Sequence, residues 1–152
     1  MPSQDPLASW RAGRSCPDAA ATEAAGAELA RLLPRGTALL LEGPLGAGKT
    51  TLVRGLARGL GLTGDLTSPS YSLVNLHDLP GGGRLVHVDA YRLDDARQAE
   101  GLLLDEIAGP GDIMVIEWAE RLGPRAPQPS VRVRIEETPE GGRWLRVLDR
   151  EI

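Results

Sequence analysis

Two short runs are apolar almost without interruption. They are Thr37-Ala-Leu-Leu-Leu-Glu42 and Asp112-Ile-Met-Val-Ile-Glu117. Each follows a breaker, Pro34-Arg35-Gly36 or Gly109-Pro110-Gly111, and each ends in an acid. Such runs suit strands buried on both faces. A different rhythm marks the later chain. Val131, Val133 and Ile135 alternate with Arg132, Arg134 and Glu136, the pattern of a strand with one wet face. Tyr71 to His77 and Arg84 to Ala90 flank the turn Leu79-Pro-Gly-Gly-Gly83 and predict a hairpin, and a last strand over Trp144 to Leu148 follows Pro139-Glu-Gly-Gly142. Helical spacing covers Asp18 to Leu33, with Ser15 as the expected N-cap and Pro17 and Asp18 in the first turn. It returns over Lys49 to Leu60, where Leu52, Val53, Leu56 and Leu60 share one side, and over Asp94 to Ala108, with a short helical turn at Ala119 to Leu122. Strands interleaved with helices predict an α/β sheet with antiparallel additions.

Length and composition narrow the class. The 152 residues fit one domain, read as 1–152 with an N-terminal segment 1–14 and a C-terminal strand hairpin 123–152, and the 41% hydrophobic content can supply a core. One cysteine, Cys16, rules out an intrachain disulfide; with only His77 and His87 beside it, a structural zinc site is not expected. The net charge of −4 argues against gripping nucleic acid by overall charge. No apolar run reaches the roughly 18 residues of a membrane span, and the first residues do not read as a secretory signal, so a cytoplasmic location is expected. Sixteen of the 17 basic residues are arginine, and the single lysine is Lys49.

That lysine completes a motif. Gly43-Pro-Leu-Gly-Ala-Gly48-Lys49-Thr50 fits G-x-x-x-x-G-K-[ST], with a buried strand before it and a helix after it. Glycines let successive backbone N–H groups turn toward phosphate oxygens. The following helix offers free N–H groups and the positive end of its dipole. Lys49 adds a compact charge at the β and γ phosphates, and the Thr50 hydroxyl can bind Mg²⁺. The expected nucleotide contacts are Gly43, Leu45, Gly46, Ala47, Gly48, Lys49, Thr50 and Thr51. The fold expected is a P-loop NTPase-like α/β sheet. Such a site needs an acid for Mg²⁺ and a group that orients the attacking water. Asp89 and Glu117 end two predicted strands and are the candidates, provided those strands run parallel to Thr37–Glu42.

Two rivals fit less well. Asp78-Leu-Pro-Gly81 and Asn75-Leu-His-Asp78 superficially match GTPase motifs, but they share Asp78 and fall at the hairpin turn. ATP is the better choice of nucleotide. A small-molecule kinase would need an acceptor region where a hairpin is predicted.

Four segments in order carry a resemblance: Gly43-Pro-Leu-Gly-Ala-Gly-Lys-Thr-Thr51, Ser68-Pro-Ser-Tyr-Ser-Leu-Val74, His87-Val-Asp-Ala-Tyr-Arg-Leu93 and Ile116-Glu-Trp118. With them the chain resembles the TsaE (YjeE) family, ATPases of bacterial tRNA threonylcarbamoyladenosine synthesis. The resemblance implies ATP with Mg²⁺, Thr50 and Glu117 at the metal, and Ser68 to Tyr71 as a switch-like loop that includes the nucleotide contact Ser68. It also implies that Asp89 is an acid required for activity, and that TsaB and TsaD are partners, with tRNA reached through their complex. Lys49, Asp89 and Glu117 are then the catalytic set. A nucleotide-gated assembly module with incidental hydrolysis is the alternative. Trp118 and Trp144 are expected to pack in the core or at an edge, and five aromatic residues are too few to argue for RNA stacking.

Overall fold

In a computed structural model of the chain, the described residues are 6–44, 48–63, 74–90 and 107–148. They form α1 (Ala8–Ala12), β1 (Arg14–Cys16), α2 (Ala19–Leu32), β2 (Ala38–Glu42), α3 (Lys49–Gly59), β3 (Val74–Asp78), β4 (Arg84–Asp89), β5 (Ile113–Glu117), a 3-10 helix (Ala119–Arg125), β6 (Ser130–Glu137) and β7 (Arg143–Leu148). The seven strands make one sheet in the order β1-β7-β6-β2-β5-β4-β3. Its centre is parallel: β2 pairs with β5 and β6, and β4 pairs with β5, all in parallel. Both edges are antiparallel, β3 on β4 at one side and β6-β7-β1 at the other. The fold is the P-loop-like α/β class expected from the motif, with antiparallel additions.

The apolar runs behave as their patterns require. All five residues of β5 are buried, as are the first four of β2. Leu39 and Leu41 face one core with Val115, Val133 and Ile135; Ala38 and Leu40 face the other with Val86, Val88, Met114 and Ile116. Helices α2 and α3 cover the first face. They cross almost backbone on backbone. A Cβ at Gly55 would lie 1.9 Å from the Glu23 carbonyl oxygen, and one at Gly26 would lie 2.2 Å from that of Leu52. These helix-interior glycines, which cost helix propensity, are there for the close approach.

The beginning of the chain departs from the sequence expectation. Ser15 does not cap a helix; it sits in β1, opposite Trp144 of β7. Asp18 caps instead, its Oδ1 accepting from the Ala21 N–H at 2.8 Å. Part of the expected N-terminal segment is thus folded, and Trp10 of α1 is fully buried. Strand pairing with β7 takes Ser15, and an acid three residues later is free to cap. The hairpin expected over Tyr71–Ala90 is present as β3 and β4, with Tyr71 to Leu73 outside the described residues. The helix expected over Asp94–Ala108 also lies outside them, except for Ile107 and Ala108.

Candidate functional site

The parallel centre brings the strand ends together. Glu117, the last residue of β5, is register partner to Leu41 of β2 on one side and to Asp89 of β4 on the other. This satisfies the condition on which the two acids were singled out. The β2 strand ends at the same edge of the sheet, where ligands collect in open α/β folds.

The loop begins at Gly43 and Pro44 and ends at Gly48. Gly48 is the N-cap of α3 with φ 103°, a left-handed conformation that favours glycine. Its carbonyl accepts the first helical bond from Leu52 N–H at 3.0 Å. Lys49 is the first residue of α3 and is only 5% exposed. Its Nζ donates to the carbonyls of Gly43 at 2.7 Å and Pro44 at 2.9 Å. Burial pushes its ammonium below the usual lysine range, while the carboxylates of Glu120, Glu117 and Asp89 oppose that shift without cancelling it. Thr50 and Thr51 follow on α3. Leu45, Gly46, Ala47 and Ser68 lie outside the described residues, as do Tyr91 and Arg92.

The two expected metal residues meet. Thr50 Oγ1 donates to Glu117 Oε1 at 3.4 Å. The other oxygen, Oε2, lies 2.5 Å from His87 Nε2, and both side chains are buried. Glu117 is therefore held from both sides, by a β4 histidine and by the first turn of α3. Asp89, two residues beyond His87, is half-buried beside it.

Three contributors were not singled out from sequence. His87 orients Glu117; its signal was the acid two residues later on the same strand face. Glu120, in the 3-10 helix, is the carboxylate that acts most strongly on Lys49. Trp118 packs against the core as expected, but its ring also takes a part in the site, with its centroid 3.9 Å from Lys49 Nζ. Its position directly after the strand-end acid was the available signal. Trp144 lies on β7 between β1 and β6, neither in the core nor on an edge strand, 39% exposed and with its ring against Gly13.

Comparison with known proteins identifies the family. The model of the family described as "Threonylcarbamoyl adenosine biosynthesis protein TsaE" matches residues 16–145. The tRNA threonylcarbamoyladenosine biosynthesis protein TsaE of a Synechocystis species is 46% identical over 110 residues, covering 70% of this chain and 69% of that protein. The protein of the same name from Streptomyces coelicolor is 43% identical, covering 73% and 76%, and that from Treponema pallidum 34%, covering 80% and 89%. The crystal structure of Bacillus subtilis YdiB superposes with a TM-score of 0.71 at 29% identity, covering 89% of this chain and 82% of that one. With a family match across most of its length, relatives at these identities and a shared fold, the chain belongs to the TsaE family.

Proposed function

We propose that the chain is a single-domain, Mg²⁺-dependent ATPase of the cytoplasm that supports a TsaB–TsaD complex in forming threonylcarbamoyladenosine at position 37 of tRNAs reading codons that start with A. The observation that carries the ATPase reading is the meeting of Thr50 and Glu117 beside Lys49. A hydroxyl and a buried ammonium from adjacent residues at the start of α3, and a carboxylate at the end of β5, fit a metal-bound triphosphate.

The donors suit Mg²⁺. Thr50 and Glu117 offer hard oxygen ligands, and among the described residues no cluster of three or more His, Cys, Asp or Glu forms a closed cage. Mg²⁺ prefers this: few protein oxygens, with waters and phosphates completing its shell. When bound, the ion would neutralise charge developing on the transferred phosphoryl group.

The protein groups divide the remaining work. The loop from Gly43 to Gly48 and the N-terminus of α3 present N–H groups to phosphate oxygens. Lys49, already bonded to two loop carbonyls, turns its remaining donor toward the phosphates. Asp89, in register with Glu117, would accept a hydrogen bond from the attacking water and align it. Ser68, Leu45, Gly46, Ala47 and Thr51 complete the proposed nucleotide contacts. Membership of the TsaE family supports the partner assignment, and the acceptor chemistry is expected on the partner proteins.

The test is ATP hydrolysis with Mg²⁺ for the chain alone, with TsaB–TsaD, and with that pair plus tRNA. Stimulation by the pair, lost in Lys49→Ala and Glu117→Ala, is the expected result. Full activity in Lys49→Ala overturns the site. Complex formation without stimulation would favour a nucleotide-gated assembly module, and phosphate transfer to an added small acceptor would favour a kinase.

A further inference from the structure

Lys49 Nζ has more around it than a phosphate loop requires. Two of its three N–H donors are taken by the carbonyls of Gly43 and Pro44. The indole of Trp118 covers the same nitrogen, with the ring centroid 3.9 Å away. Trp118 is the one non-glycine residue among those described with a positive φ, 60°. A bulky side chain in that region is an outlier that needs a reason in its surroundings. The kink comes where β5 ends at Glu117 and the 3-10 helix begins at Ala119, and it sets the ring against Lys49.

The ring has a job because of what else surrounds the lysine. Glu120, Glu117 and Asp89 all attract it. A lysine stem is flexible, and its head is a compact point charge. Left to itself, the ammonium would move toward those carboxylates and away from the loop. Tryptophan has the aromatic face most attractive to a cation, and the attraction grows when water is excluded, as it is around this buried lysine.

We propose that Trp118 is a positioning residue for the phosphate lysine: its indole holds the Lys49 ammonium against the Gly43 and Pro44 carbonyls, so that the remaining N–H faces the phosphate site before nucleotide arrives. This rests on the nucleotide-binding reading above. The loop lysine is thereby preorganised, and part of the ordering cost of binding is met in advance.

The experiment uses the fact that Lys49 is the only lysine. Tag-free full-length protein labelled with ¹³C-lysine shows one lysine side chain by NMR. In the wild type its Hε protons should lie upfield of the usual position, shifted by the indole ring current. Trp118→Leu should abolish that shift and raise the Kd for Mg·ATP by roughly 2- to 30-fold, the range of a partly to fully desolvated cation–ring contact. Trp118→Phe should restore most of both. Thermal unfolding run in parallel identifies a Leu variant that has not folded, in which case an intermediate shift and affinity in Trp118→Phe support the proposal. An unshifted lysine signal in the folded wild type overturns it. So does unchanged Mg·ATP affinity in a folded Trp118→Leu chain. A wild type with no affinity for Mg·ATP overturns the nucleotide reading and this proposal together, a pattern distinct from a Leu variant that binds as well as wild type.

Discussion

His87 Nε2 and Glu117 Oε2 face each other at 2.5 Å across the β4–β5 pair, with both side chains shut away from solvent. The bond leaves the other carboxylate oxygen directed at Thr50. A histidine that fixes a ligating carboxylate in this way controls metal affinity without touching the metal. Replacing His87 by Leu should destabilise the fold by about 1–3 kcal/mol, because it leaves a buried carboxylate oxygen without its partner. It should also weaken Mg²⁺-dependent hydrolysis by roughly 10- to 100-fold. Urea unfolding and a Mg²⁺ titration of activity measure the two effects. A variant that keeps its Mg²⁺ dependence would show that Glu117 is oriented by Thr50 alone.

The proposed nucleotide site should reject ATP without Mg²⁺. Glu120, Glu117 and Asp89 all act on Lys49, whose ammonium donates to the Gly43 and Pro44 carbonyls. At an effective dielectric of about 20, two charges about 4 Å apart interact by about 4 kcal/mol, so excess negative charge here matters. Chelating Mg²⁺ should raise the Kd for ATP by about tenfold or more, about 1.4 kcal/mol, a fraction of that magnitude because solvent and salt screen the charges. Glu117→Gln keeps the side chain's shape and removes its charge. It should narrow the gap between Kd values measured with Mg²⁺ and with EDTA. An equal gap in wild type and variant would remove Glu117 from the metal site.

The α2–α3 crossing should be intolerant of one methyl group. Ala is favoured over Gly in a helix by about 1 kcal/mol. At Gly55, however, a Cβ would stand 1.9 Å from the Glu23 carbonyl oxygen, which belongs to backbone and cannot swing aside. Overpacking of this kind costs about 1–3 kcal/mol or more, so the clash should win and Gly55→Ala should be net destabilising. Because α3 starts at the proposed phosphate loop, ATP affinity should fall as well. Chemical denaturation decides the sign; a stabilised variant would mean that the helices can separate freely.

Asp112 supplies a pH-dependent contribution away from the site. Burial by itself would raise its carboxyl. The Gly109 N–H at 2.8 Å, the Arg84 guanidinium at 3.2 Å and the Arg84 N–H at 2.9 Å outweigh burial and hold it below the usual carboxylate range. A carboxyl lowered in the folded state stabilises above its unfolded pKa, and that stability is lost as pH falls through the folded value. Asp112→Asn should therefore cost about 1–3 kcal/mol near neutral pH. The gap to wild type should shrink below pH ~4, where the unfolded carboxyl takes up its proton. Unfolding measured from pH 7 to pH 3 shows the trend; a gap independent of pH would assign the cost to lost shape rather than charge.

Cys16 should be inert while the chain is folded. It is buried in β1, and burial pushes its thiol up from the ordinary cysteine range. A thiol reagent such as 5,5′-dithiobis(2-nitrobenzoate) should react only as the protein unfolds. Rapid labelling under native conditions would show that the β1–β7 edge opens readily.

Local chemistry made much of this protein legible. The breakers and apolar runs marked β2 and β5, because a strand buried on both faces has no polar position to hide. The alternation over Val131–Glu136 marked β6 as half wet, and its valines and isoleucine do line one core. The loop from Gly43 to Thr50 was recognisable because phosphate binding by backbone and lysine depends on contiguous residues. What escaped was decided by residues far apart in the chain. Whether Ser15 caps a helix or enters a strand depends on β7, more than a hundred residues later. The direction of β4 and β5, which brings Asp89 to Glu117, is set by how the sheet assembles. The hydrogen bond from His87 to Glu117 crosses two strands, and the Trp118 ring reaches Lys49 only because the chain kinks after β5. Sequence by itself determined six of the seven strands, the motif and the single lysine at its end, because those follow from periodicity and contiguous chemistry. Only the tertiary structure decided which side chains surround that lysine, because cross-strand register and backbone reversal join groups that no local pattern connects.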